Sequence, residues 1–241
     1  MKPEVKMRTI KKRQERKKEF LDTARNLFFT QGYGQTSVDT IIREIGISKG
    51  AFYYYFKSKE DLLDELTKDL INYILEEVKR VVNREDLDAV SKLNTAFTVI
   101  GNIKLDNIGL IKALQKAFYD DRNYYFRYKV YQNSTDMLAP EFAKIIRQGM
   151  AEKYFHVPYP DEAARMFFEF SFILSERLPK MILEINQYPE NFEKIEREME
   201  NYQITIERMI SAKKGTIKIF SPSLLKKFLD KMKIKVKNDS V

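Results

Sequence analysis

The residues best suited to chemistry lie in one short stretch, 48–56, which reads SKGAFYYYF. It combines an ammonium group at Lys49, three tyrosine hydroxyls at 53–55 and two small residues at 50 and 51. Hydroxyl and ammonium groups donate hydrogen bonds to phosphate oxygens, and small residues let a backbone approach closely. The composition of this stretch therefore predicts a surface that grips DNA.

The helical spacing of the same stretch separates an inner face from an outer face. Phe52 and Phe56 are four residues apart, so they share one side of a helix and should point inward. Tyr54 lies nearly opposite, on the same outer side as Gly50 and Ala51. Few side chains on that side can make bidentate base contacts, so backbone approach, thymine methyls and DNA shape are expected to supply specificity.

A helix and a tight turn precede this stretch. Residues 36–39, TSVD, fit the capping-box pattern of a hydroxyl followed three residues later by an acid. An apolar stripe follows at Val38, Ile41, Ile42 and Ile45. Gly46 can end that helix, Ser48 can cap the next one, and Ser58 can open a third. Two helices joined by so short a glycine-containing turn predict a helix-turn-helix.

Many residues at fixed spacing between about 12 and 66 resemble the tetracycline-repressor (TetR-like) family of transcriptional regulators. These residues are Ala24, Phe28, Gly32, Tyr33, Thr36, Ser37, Val38, Ile41, Gly46, Ile47, Ser48, Gly50, Phe52, Tyr53, Tyr55, Phe56, Lys59, Glu60 and Leu62. The resemblance implies an all-α fold, with an N-terminal three-helix bundle joined by a fourth helix to a larger helical domain. A helical bundle with a fortuitous tyrosine-rich turn is the alternative.

The resemblance and the periodicity together predict three segments. Residues 1–66 form a DNA-binding domain with a basic arm, and a helix from Ser58 bridges to about Val82. Residues 67–212 form the effector-binding and dimerisation domain, and 213–241 form a basic amphipathic extension. The DNA-binding candidates are Thr36, Ser37, Ser48, Lys49, Gly50, Ala51, Tyr53, Tyr54, Tyr55 and Lys59.

Charge and composition narrow the function further. The chain has 241 residues, one His, no Cys and a net charge of +8. Its ends are basic, with nine Lys or Arg against three Glu in 1–20 and nine Lys against two Asp in 213–241. The N-terminal run is interpreted as an arm that adds phosphate contacts. Disulfides and cysteine metal sites are excluded, no cofactor or metal is expected, and a cytoplasmic protein without stable membrane association is the default.

Periodicity alone places the helices of the second domain. Asp86 can cap one helix that Gly101 closes, and Pro140 is expected to interrupt a later one. Two further helices are expected at 161–186 and 191–212. The resemblance implies that the last two pair with their copies in a homodimer, with Phe167, Phe170, Leu174, Tyr202, Ile206 and Met209 as interface candidates. The alternative is that such residues face the chain's own core.

Aromatic and methionine residues of the second domain allow two interpretations. They can simply form its core, or they can line the apolar cavity that the resemblance implies. The pocket candidates are Phe97, Phe118, Tyr124, Tyr125, Tyr128, Tyr131, Met137, Phe168 and Phe172. A bound effector would then be small and largely apolar or aromatic.

These observations predict a ligand-responsive repressor that binds a pseudo-palindromic, double-stranded operator as a homodimer. An architectural DNA-binding protein with little sequence preference is the alternative. An enzyme is not expected, because no paired-carboxylate, Cys/His, phosphate-loop or metal-spacing motif is found. The tail 213–241 can pack on the body, lie on an anionic membrane or add DNA affinity.

Overall fold

The computed structural model describes residues 3–111, 113, 124–219 and 222–231, which fold into α-helices without any strand. The helices are α1 (Pro3–Thr30), α2 (Val38–Ile45), α3 (Lys49–Tyr55), α4 (Lys59–Val82), α5 (Ala89–Asp106), α6 (Tyr124–Ala151), α7 (Pro160–Leu183), α8 (Asn191–Met209) and α9 (Pro222–Lys231). Residues 108–111 and 113 are also helical. The predicted all-α class is confirmed.

The chain divides into two compact units. Unit 1 comprises Met1–Leu70 and Gly109–Arg127, and unit 2 comprises Ile71–Ile108 and Tyr128–Val241. The division falls within α4, so this helix contributes residues to both units.

Unit 1 is built around one face of α1. Phe20, Ala24 and Phe28 follow each other at intervals of four and are buried. Ile41 of α2 and Leu63 of α4 are each 0% exposed in the same unit. Burying a large apolar side chain stabilises a fold by about 1.5–3 kcal/mol, so α1 is the support on which the short helices depend.

The start and end of α5 differ from the sequence prediction. Asp88, rather than Asp86, caps the helix, because its carboxylate accepts the Ser91 N–H at 2.7 Å. Asp86 is exposed and pairs with Arg84 instead. Gly101 lies inside the helix, which continues to Asp106.

The predicted interruption at Pro140 is wrong, since α6 runs through it from Tyr124 to Ala151. A proline inside a helix removes one backbone hydrogen bond. Here its neighbours Leu138, Ala139 and Phe142 are all buried. Their packing offsets the lost bond and keeps the helix continuous.

Helices α7 and α8 pack directly on each other in unit 2. The hydroxyl of Tyr202 on α8 donates to the Phe167 carbonyl on α7 at 2.7 Å. Burial raises the pKa of Tyr202, so its hydroxyl stays protonated and keeps donating. Ile206, one turn further along α8, is fully buried.

The end of α6 generates a stability prediction. A Cβ added at Gly149 would overlap the ring of Phe155, which is buried. Gly149→Ala should therefore lower the free energy of unfolding by about 1–3 kcal/mol, although alanine favours helix. Thermal unfolding would measure the change, with Gly50→Ala as the control because a Cβ there meets nothing within 4 Å. Equal melting temperatures for Gly149→Ala and the unaltered protein would contradict the close packing.

Candidate nucleic-acid interface

Three local caps fix the turn between α2 and α3. The hydroxyl of Ser37 accepts the Thr40 N–H at 3.0 Å and starts α2. Gly46 ends α2 with φ 75° and ψ 39°, left-handed values that glycine adopts without steric penalty. Ser48 then starts α3 by accepting the Ala51 N–H at 3.3 Å. The helix-turn-helix predicted from the sequence is present.

The inner face of α3 is locked by phenylalanine packing. Phe52 is 0% exposed and Phe56, just after the helix, is 1% exposed. Their ring centroids lie 5.7 and 5.6 Å from that of Phe20 on α1, both in edge-on geometry. Such aromatic pairs add about 0.5–1.5 kcal/mol beyond area burial. They set the rotation of α3 about its own axis.

The outer face of α3 is left open by that rotation. Tyr54 is 64% exposed and Tyr53 is 50% exposed. The exposed members of the predicted DNA-binding set are Ser37, Ser48, Lys49, Gly50, Tyr53 and Tyr54. Ala51 is half-buried. Hydroxyl groups, an ammonium group and a bare backbone thus share one accessible surface.

Two other members of the predicted set belong to the packing of unit 1. Thr36 is fully buried, and its hydroxyl donates to the Gly32 carbonyl at 2.9 Å. That geometry corrects its assignment as a phosphate contact. Tyr55 is half-buried, with its ring 5.4 Å from the ring of Phe20. The sequence identifies both side chains as carriers of a hydroxyl group. It does not reveal that the ring of Tyr55 contacts Phe20 on α1, or that Thr36 bonds to the turn after α1.

Lys59 also has an internal partner set. Its ammonium group donates to the carbonyls of Tyr33 at 2.9 Å and Thr36 at 3.1 Å. It lies 4.1 Å from the centre of the Tyr33 ring as well. The lysine therefore clamps the turn that leads from α1 into α2, and its role as a phosphate contact stays a prediction.

The neighbouring pair of Tyr33 and Glu60 completes this clamp. The Tyr33 hydroxyl donates to Glu60 Oε1 at 3.1 Å. Burial, and then the Glu60 charge, raise the pKa of Tyr33, so it remains a donor at neutral pH. Burial acts against ionisation of Glu60, but hydrogen bonds from its own backbone, Ser58 and Tyr33 outweigh it and lower the pKa of Glu60. Both groups keep the protonation states that their bond requires.

Two contacts of the outer surface were missed by sequence reasoning. The guanidinium of Arg13 on α1 lies 5.2 Å from the centre of the Tyr54 ring. Lys49 Nζ lies 3.3 Å from Asp39 Oδ1 on α2, and both side chains are well exposed. Arg13 sits in a basic run without a periodic signal, and Asp39 was assigned only as a capping acid. A cation–π contact of this kind contributes about 0.5–1 kcal/mol at an exposed site.

Several of the predicted pocket residues in unit 2 take part in two groups of contacts between aromatic rings. The Tyr131 and Phe172 rings stack at 4.4 Å, with Tyr128 beside Tyr131 at 6.2 Å. Phe142 lies 5.3 Å from Phe97 and 5.2 Å from Phe168. Met137 is half-buried. Phe118 and the side chains of Tyr124 and Tyr125 lie outside the described residues.

The predicted dimer residues fall into two groups. Phe167, Tyr202 and Ile206 are buried within one chain, so they face its own core and are not available to a partner. This burial corrects their assignment to an interface. Phe170, Leu174 and Met209 are partly exposed. Met166 and Ile173 on α7, which the prediction omitted, are 45% and 51% exposed.

Other kinds of site were also sought. Among the residues that the structure describes, no group of three or more His, Cys, Asp or Glu side chains could hold a metal ion. No helix in the described part of the chain is long and apolar enough to cross a membrane.

Comparison with known proteins identifies relatives of the N-terminal part. The family model described as bacterial regulatory proteins, tetR family, matches residues 20–66. The uncharacterized HTH-type transcriptional regulator YuxN of Bacillus subtilis is 44% identical over 70 residues, which are 29% of this chain and 23% of that protein. The negative transcriptional regulator IcaR of Staphylococcus epidermidis is 30% identical over 70 residues, 29% of this chain and 37% of its own length. The chain thus spans well under half of these relatives, which are named as transcriptional regulators and not as enzymes.

Solved structures extend the likeness of fold over most of the chain. RolR, crystallised in complex with the ligand resorcinol, superposes with a TM-score of 0.56 at 14% identity. The superposition covers 91% of this chain and 95% of RolR. At this identity the likeness concerns the fold alone.

The clamp at Lys59 generates a second prediction. Lys59→Met removes two hydrogen bonds from an ammonium group and its contact with Tyr33, so the free energy of unfolding should fall by about 1–3 kcal/mol. Chemical denaturation would measure it, with Lys57→Met as the control because Lys57 is exposed. Unchanged stability together with weakened DNA binding would instead favour the original assignment as a phosphate contact.

Proposed function

We propose that this chain is a tetR-family, ligand-responsive repressor of transcription, because residues 20–66 match the model of that family of bacterial regulatory proteins. It binds a pseudo-palindromic operator as a homodimer, and a small apolar or aromatic effector releases it. The observation that carries this proposal is the exposed outer face of α3, held in one orientation by Phe52 and Phe56.

The outer face suits the major groove of DNA. Lys49, Tyr53 and Tyr54 reach outward with donors for phosphate oxygens. Gly50 lies between them with a helical backbone, and no atom lies within 4 Å of the place where its Cβ would be. Internal packing therefore does not require a glycine there. The missing side chain instead leaves room for a base edge or a sugar-phosphate backbone.

The basic arm supports this surface from α1. The arm is helical from Pro3 onward, and Arg13 stacks over Tyr54. This contact brings the positive run of α1 next to the recognition helix within unit 1. Each lysine or arginine that meets a phosphate releases a counterion from DNA and so strengthens binding at low salt.

An apolar row on α7 is suited to a second copy of the chain. Met166, Phe170 and Ile173 are spaced at i, i+4 and i+7, so they share one side of the helix. Two of them are about half exposed, and Phe170 is partly so. Exposed apolar rows of this kind mark interaction sites. A two-fold dimer would place two α3 helices in successive major grooves, about 34–36 Å apart.

The aromatic runs of unit 2 suit the effector. The rings of Tyr131 and Phe172 stack, Tyr128 lies beside them, and the tyrosines add hydroxyls that can orient a ligand. Pockets for small molecules are mostly apolar with a few convergent polar groups. The effector acts by binding more tightly to a state whose recognition helices are wrongly spaced.

Selection from a random duplex pool tests the proposal, and Gly50→Ala sharpens it. The unaltered protein should enrich one palindromic sequence. Gly50→Ala should bind that duplex about tenfold or more weakly, because a methyl group blocks close approach, while its free energy of unfolding rises by about 0.4–1 kcal/mol. Titration by fluorescence anisotropy and thermal unfolding would measure both effects.

The outcomes of this selection separate the alternatives. Binding without any enriched sequence would favour an architectural DNA-binding protein. Unchanged affinity of Gly50→Ala for an enriched duplex would mean that the backbone at residue 50 does not approach DNA.

The apolar row on α7, formed by Met166, Phe170 and Ile173, gives a separate prediction. Ile173→Glu places a charge in the exposed apolar row of α7, so it should halve the mass of the particle in solution. Sedimentation at micromolar concentration would measure the mass. Tyr188→Glu makes the same kind of change at an exposed aromatic residue in the loop after α7, and it should leave the mass unaltered. A dimer that survives Ile173→Glu would exclude this side of α7 as the interface.

A further inference from the structure

The described part of the C-terminal extension, residues 213–219 and 222–231, is held by a specific socket on unit 2. Asn94 of α5 makes two hydrogen bonds to its backbone. The Asn94 side-chain amide donates to the Thr216 carbonyl at 2.9 Å, and the Lys218 N–H donates to Asn94 Oδ1 at 2.7 Å. One side chain thus brackets Ile217 from both sides.

Ile217 fills the socket itself. Its side chain is 0% exposed, and its backbone N–H donates to Glu207 Oε1 at 3.0 Å. Glu207 on α8 is only 3% exposed. A buried carboxylate is costly unless donors satisfy it. The extension therefore supplies a backbone N–H that satisfies Glu207 of α8. Because Asn94 of α5 binds the same segment, the extension connects α5 to α8.

The second half of the extension holds the other end of α5. Helix α9 packs against α5, with Leu225 and Leu229 buried. The ammonium group of Lys231 donates to the Leu105 carbonyl at 3.2 Å and to Asp106 Oδ1 at 3.3 Å. A cation is favourable at the carboxyl end of a helix. With its apolar side covered in this way, α9 packs on the body and does not offer that side to a membrane.

The start of α5 also holds the end of α4. Lys92, only 6% exposed, donates to the Val82 carbonyl at 2.8 Å and to Gln148 Oε1 at 2.7 Å. Val82 is the last residue of α4, the helix that contributes to both units. Asn94 follows Lys92 by only two residues. One short segment of α5 therefore binds both the extension and the end of α4.

We propose that the extension is a conformational strap, which restrains α5 and thereby stiffens the end of α4. Its effect on DNA binding rests on the proposed function, while its effect on α5 and α4 does not. A restrained α4 loses less conformational freedom when the protein binds DNA. The strap thus raises operator affinity. Any ligand that displaces α5 must first break the hydrogen bonds that Asn94, Glu207 and Lys231 make.

Hydrogen exchange tests the strap without DNA or an effector. Asn94→Ala removes both bracketing bonds, so exchange of the backbone amides of 95–105 and 75–82 should speed up by about tenfold. Thr98→Ala is the matched control on the same helix, because the Thr98 hydroxyl bonds only to its own helix at Asn94 O.

Binding to the duplex enriched by the full chain gives the functional readout. Asn94→Ala should bind it about two- to tenfold more weakly than Thr98→Ala, with an unchanged particle mass. Faster exchange confined to 213–231, or faster exchange in α5 with unchanged exchange in α4 and unchanged affinity, would overturn the proposal. If the full chain enriches no duplex, the proposed function fails, and exchange in α4 alone decides whether the strap exists.

Discussion

The packing of Phe52 and Phe56 against Phe20 is the constraint on which the rest of unit 1 depends. The packing of these rings sets the rotation of α3 about its own axis, and that rotation determines which groups of the helix are exposed. A seven-residue helix cannot hold itself in water, because helix nucleation is costly and short helices are marginal. The long helix α1 therefore serves as the support, and the aromatic contacts transfer its rigidity to the recognition surface.

Local sequence rules predicted the short helices of unit 1 well, because the residues that start and end these helices act on their near neighbours in the chain. Gly46 and Ser48 each act within four residues of their own position as predicted, whereas the cap of α2 is Ser37 and not the predicted Thr36. The internal hydrogen bonds of Thr36 and Lys59 could not be predicted, for the opposite reason. Their partners lie in the turn after α1, and the identity of a hydroxyl or ammonium group does not tell where its hydrogen bond will go.

Periodicity was a weaker guide in the second unit. It predicted that α7 and α8 exist, but not which side of each is buried, because the stretch 166–174, MFFEFSFIL, puts apolar residues on several sides of α7. Phe167, Tyr202 and Ile206 consequently proved to be core residues. The socket for Ile217 had no sequence signal at all, since its parts come from α5, α8 and the extension. Only the folded chain brings Asn94 and Glu207 to the same short backbone segment.

The ion pair between Lys49 and Asp39 has a consequence for the proposed binding of DNA. Asp39 acts as a built-in counterion, which holds the lysine at the edge of α3 before any nucleic acid arrives. The same carboxylate repels phosphates that approach in the wrong register, since like charges at close range are unfavourable. In the proposed complex Lys49 would exchange Asp39 for a phosphate and Asp39 would turn to solvent, so loose attachment would be penalised more than a fitted complex. An acidic residue on a surface that meets a polyanion can thus shorten the time spent on the wrong sequence.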